Sequence, residues 1–151
     1  MLLNGVVVLL QCYFLLMNLT VENCYCNGPF LENDTRFLMK ETLEFSQQYN
    51  RLFLERPDCM VSAYIFPFFY ALIAVAALTN SWRRLSLPIL LFIGAKLNAI
   101  GFYHYMEFTS SVPPENLYVY FSVEGPYLVS IAIVLVKVMA AMRTPKGDKT
   151  N

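Results

Sequence analysis

The chain has 151 residues, of which 57% are hydrophobic and only 15% charged, with 12 Phe, 10 Tyr and 7 Met. Its formal net charge of zero gives no case for a nucleic-acid partner, which needs a basic surface. The length fits one domain, and the apolar residues stand in long blocks instead of alternating with polar ones, which predicts a polytopic membrane protein and not a compact secreted core.

Leu2 to Met17 is the first apolar run, interrupted only by Asn4, Gly5 and Gln11. A signal peptide is the alternative to a span here. The start lacks a basic n-region and no small-x-small cleavage site follows, so we read an uncleaved span over about residues 2–20.

Val21 to Asp58 is a polar connection with four basic and seven acidic residues, a net charge of −3. Within it Leu38, Phe45, Tyr49 and Leu52 recur at helical spacing, which predicts an amphipathic helix lying on the membrane face or capping the bundle. The sequons Asn18-Leu19-Thr20 and Asn33-Asp34-Thr35 make Asn18 and Asn33 candidate glycosylation sites if this side is lumenal. Cys12 falls in the first run, and Cys24, Cys26 and Cys59 in or beside the polar connection. No CxxC or His-Cys cluster accompanies them, so neither zinc nor another metal or cofactor is expected. Cys59 pairing with Cys24 or Cys26, and reduced thiols, both stay open.

The second span is placed at about 60–79, a stretch in which Met60 to Leu78 carries no charge. Pro67 near its middle removes a backbone donor and predicts a kink, which either opens space for a ligand or serves packing alone. Trp82-Arg83-Arg84 forms a turn and an interfacial anchor. The third span, about 87–106, is interrupted by Lys96, Asn98 and His104, with His104 read as interfacial. Residues 107–116 are a second acidic connection, and the fourth span runs over about 117–142, with a Gly125-Pro126 break. Together these make a four-span membrane domain over 1–143 and a disordered cytosolic tail at 144–151.

The Arg83-Arg84 turn and the basic tail place both termini in the cytosol, and residues 21–58 and 107–116 in the lumen. In this arrangement Lys96 lies eight residues after Pro88, roughly 12 Å up the third span, and Glu124 lies seven residues after Leu117, roughly 10 Å down the fourth. Across a core of about 30 Å the two levels differ by about 8 Å, a gap that a lysine stem largely covers. An acid at bilayer depth is costly and marks a functional site when a partner exists. The competing reading is that Glu124 is protonated or snorkels to the lumenal interface while Lys96 snorkels to the cytosol. The pocket reading names Glu124, Tyr127, Asn98, Lys96 and Pro67 as ligand-binding residues.

Pro67-Phe68-Phe69, then Trp82, Arg84 and Pro88, together with Ser122-Val123-Glu124-Gly125-Pro126-Tyr127-Leu128-Val129 and Tyr13-Phe14-Leu15, form a further pattern. In these residues the chain resembles the EXPERA family of four-helix membrane proteins, which includes the emopamil-binding sterol isomerase and the sigma-two receptor, and it resembles them as a divergent member. The resemblance implies an all-α four-helix bundle of the endoplasmic reticulum membrane that binds a sterol or a similar apolar or cationic amphiphile. Tyr127 matches a pocket tyrosine of the receptor, and Glu124 stands in place of another. The isomerase carries a proton-moving Glu where this chain has Val61, and its His and Glu pair has no equivalent in the first run. Isomerisation needs one group to give a proton and another to take it, so a non-enzymatic binding protein is the expectation. The alternatives are a diverged isomerase using Glu107 or Glu124 with His104, and an accessory or trafficking subunit of another membrane protein. Membrane lipids, sterol foremost, are the expected partners, with a homodimer left open.

Overall fold

Four helices long and apolar enough to cross a membrane organise the chain: Leu2–Asn27, Val61–Thr79, Ser86–Thr109 and Leu117–Arg143, of 26, 19, 24 and 27 residues. The computed structural model describes residues 2–28, 30–31, 33–55 and 61–143. The tail at 144–151, Cys59 and Met60 lie outside the described residues. Each helix reaches the roughly 20 residues that a bilayer core demands. The fold is an all-α membrane helix bundle.

The first span is α1 (Leu2–Met17), a π-helical turn (Asn18–Glu22) and α2 (Asn23–Asn27) in one continuous rod. Val7, Gln11, Phe14, Asn18 and Val21 are buried along it, the three- and four-residue alternation of a helix seam. The seam packs on the second span, where Ala74, Ala76 and Ala77 of α4 (Phe66–Thr79) are buried and let the two backbones approach. Asn4 fixes the register by donating from Nδ2 to the Ala77 carbonyl at 2.9 Å.

Pro67 acts differently from a simple kink. It sits in the first turn of α4, and the preceding Val61–Ile65 is a π-helical turn. A proline lacks the N–H and its ring clashes with the carbonyl four residues back; the helix absorbs this by widening one turn before it. Asn80 ends α4 in the left-handed conformation, φ 53°, which asparagine tolerates well. Trp82 then turns inward: it is 2% exposed and lies 5.9 Å from the Lys137 ammonium, so the expected interfacial anchor is a buried plug. Arg83 and Arg84 remain exposed.

The third and fourth spans are α5 (Ser86–Thr109) and α6 (Leu117–Arg143). The break expected at Gly125-Pro126 does not occur, and α6 stays helical through Pro126. Between the first two spans, α3 (Met39–Tyr49) forms where the amphipathic pattern lies. It is followed by a short 3-10 helix (Arg51–Glu55). Leu38 enters α3 with φ 54°, a strained conformation for a bulky residue.

This loop layer is tied down at several points. Tyr25 stacks on Phe30 and Phe53 and donates to the Leu54 carbonyl at 2.6 Å. Arg36 forms a two-pronged pair with Asp34, Nε to Oδ1 at 2.8 Å and Nη2 to Oδ2 at 2.5 Å, and reaches the Cys24 carbonyl at 3.1 Å. The guanidinium holds the Asp34 carboxyl well below the usual carboxylate range, and the carboxylate in turn raises Arg36. Glu107, 1% exposed near the end of α5, accepts the backbone N–H groups of Arg51 and Leu52, each at 3.0 Å. Its carboxylate satisfies the orphan donors at the start of the 3-10 helix and locks that segment onto the bundle. Cys26 is disulfide-bonded, while Cys12 and Cys24 are free thiols.

Candidate intramembrane binding site

The main cavity, about 410 Å³, lies between α1, α5 and α6 under the roof made by α3. That volume falls within the usual range for small-molecule sites. Its walls are largely apolar: Met17, Val21, Phe45, Phe53, Phe66 and Ile100 face it. Polar groups enter from each surrounding element, with Asn18 and Glu22 from the first span, Glu41 and Ser46 from α3, Lys96 from α5 and Glu124 from α6.

Glu124 is held by a relay. Tyr103 donates its hydroxyl to Asn50 Oδ1, and Asn50 Nδ2 donates to Glu124 Oε1 at 3.0 Å. Asn50 is 3% exposed and ends α3, so one amide joins the roof to both α5 and α6. Tyr127 stacks on Phe14 with centroids 4.3 Å apart and rings nearly parallel. The Lys96 ammonium lies 4.1 Å from the Phe66 ring centre and 5.0 Å from that of Tyr127. Attraction to ring faces is strongest where water is excluded, and it holds the cation at this depth.

The structure therefore places Glu124, Tyr127 and Lys96 on one cavity. Two of the expected ligand-binding residues are elsewhere. Asn98 is exposed and does not line the cavity. It stands two residues after Lys96, and at about 100° per residue those two side chains leave α5 on nearly opposite faces. Pro67 is buried but does not line the cavity; its neighbour Phe66 does, so the proline shapes the helix that presents the wall.

The two sequons also separate. Asn33 is exposed in a turn, with Thr35 exposed beside it. Asn18 is 2% exposed and lines the cavity, so the two sequons stand in opposite surroundings. The place of Asn18 on a π-helical turn inside a spanning helix is the reason; a sequon motif carries no information about depth.

Three residues that matter here were not singled out from the sequence as site residues. Asn50 and Tyr103 form the relay to Glu124, and Glu22 accepts from Ser62 Oγ at 3.0 Å across the two π-helical turns. An Asn directly after a periodic helix marks a helix end, but nothing local names its partner 74 residues away.

The proton-transfer pair envisaged for an isomerase is not assembled on the cavity. His104 Nδ1 meets the Tyr120 hydroxyl at 2.7 Å and its ring stacks against Phe108, while Glu107 holds backbone amides; neither lines the cavity. Among the described residues no group of three or more His, Cys, Asp and Glu could hold a metal ion. No family model, curated protein or solved structure matches the chain.

Proposed function

We propose that the chain is a divergent EXPERA-like, non-enzymatic membrane protein that binds a sterol or a similar apolar or cationic amphiphile between its helices. The observation that carries this reading is the cavity of about 410 Å³, apolar in most of its walls and supplied with an oriented carboxylate, Glu124, at membrane depth. Apolar walls supply affinity for a hydrocarbon skeleton, while Glu124, Tyr127 and Lys96 orient its polar end. We place the protein in the endoplasmic reticulum membrane with both termini cytosolic and α3 on the lumenal side. The Cys26 disulfide and the exposed Asn33 sequon support that side as the oxidising one.

Lipid mass spectrometry on the gently purified protein tests the reading, followed by photo-crosslinking with a diazirine sterol. A co-purifying sterol is expected, as is labelling that weakens in Glu124→Ala and Tyr127→Phe. Equal labelling of the wild type and both variants would refute the pocket.

One observation favours a second reading, an accessory subunit of another membrane protein. Asn98 is exposed within a span, and nothing lies within 4 Å of a Cβ built on Gly94 or Gly101 of the same helix. A stable heteromeric complex in mild detergent, lost in Asn98→Leu, would support it.

A further inference from the structure

Asn18 sits on the π-helical turn of the first span, one turn before Glu22, and both side chains line the cavity. Asn18 is 2% exposed, and its Oδ1 has no hydrogen-bond partner among the described residues. A buried acceptor without a donor is rare and unfavourable, and each instance calls for a physical account. The surroundings sharpen the question, because Glu22, Glu41 and Glu124 are acceptors too when ionised. On the donor side, the Lys96 ammonium is drawn toward Phe66 and Tyr127, and the Tyr103 hydroxyl donates to Asn50. The hydroxyls of Tyr13, Thr42, Ser46 and Tyr127 also line the cavity, and none of them is hydrogen-bonded to Asn18 Oδ1. A π-helical turn is itself an irregularity that recurs at functional sites.

We infer that Asn18 Oδ1 is a specificity-determining acceptor, filled by a hydroxyl or N–H donor at the polar end of the ligand. This rests on the binding function proposed above and adds to it a selection rule. The cavity takes an amphiphile ending in a donor and disfavours the same skeleton ending in an acceptor alone. A site built to pair with a donor rejects the analogue that lacks it, because the site's own polar group then stays unpaired.

The test compares three probes on the full chain in nanodiscs by direct binding: cholesterol, its 3-methyl ether and its 3-amino analogue. The alcohol, the amine or both are expected to bind about tenfold more tightly than the ether, and whichever leads identifies the donor as neutral or cationic. Asn18→Leu is expected to bring the leading probe to the level of the ether while the affinity for the ether stays unchanged, which also shows that the variant is folded. Asn18→Asp, which keeps an acceptor, is expected to keep the preference. Equal binding of all three probes to the wild type overturns the inference without any variant, and a preference that survives Asn18→Leu overturns it as well. Failure of every probe to bind overturns the pocket reading and this inference with it.

Discussion

Replacing Asn50 by leucine, which has nearly the same shape, tests the relay that holds Glu124. Asn50 is 3% exposed, so the substitution changes bonding far more than packing. It removes the Nδ2 donor to Glu124 Oε1 and the Oδ1 acceptor of the Tyr103 hydroxyl. A hydrogen bond to a charged group contributes about 1.5–3 kcal/mol and a neutral one about 1 kcal/mol, so the expected loss is roughly 3 kcal/mol. For a chain of this length that corresponds to a fall in Tm of roughly 6–12 °C. Tyr103→Phe removes only the outer bond and should lower stability by about 1 kcal/mol. Since both variants act on one network, the double variant should resemble Asn50→Leu alone instead of the sum of the two. Thermal unfolding in detergent, followed by helical circular dichroism, measures all three. An Asn50→Leu protein that melts with the wild type, or a double variant whose loss is additive, would show that the relay does not hold the roof to α5 and α6.

Glu107→Ala deletes the acceptor of the Arg51 and Leu52 amides; at about 1.5–3 kcal/mol per charge-assisted bond it should loosen the 3-10 segment, seen as faster hydrogen exchange at those two amides. With the connection between the first two spans in the lumen, expression in a glycosylating cell should give a glycosidase-sensitive band that Asn33→Gln abolishes and Asn18→Gln leaves intact. The Asp34–Arg36 pair predicts an acid-labile loop. Asp34 is lowered in the folded chain, so its contribution is present above the ordinary carboxylate value of about 3.9 and is lost as pH falls toward the lowered one. Proteolysis between residues 31 and 38, normalised at each pH to an unstructured peptide of the same sequence, should therefore rise progressively below about pH 4, and Asp34→Asn should be cleaved faster than the wild type at about pH 5.

Much of the architecture was legible in the order of residues. Long apolar runs place the four spans, and the repeat of Leu38, Phe45 and Tyr49 marks the helix that became α3. Three places show what the order of residues leaves open. Asn98 and Lys96 are close in depth, but their side chains leave the helix on opposite faces. Asn18 carried a sequon, yet it belongs to a buried seam. Pro67 and Pro126 looked alike as helix breakers; one follows a π-helical turn and the other sits inside an unbroken α-helix. How a chain absorbs a proline depends on what its neighbours can satisfy, not on the proline itself.

Hydropathy is a property of consecutive residues, so the sequence by itself determined the number of spans, their approximate ends and the presence of an acid and a lysine at bilayer depth. Which of those polar groups meet was decided only by the rotation of each helix about its axis and by the roof laid across them. A turn of about 100° per residue separates Lys96 in the cavity from Asn98 outside it. The bond from Asn50 to Glu124 joins residues 74 positions apart, a pairing that exists only once α3 has folded down over the bundle.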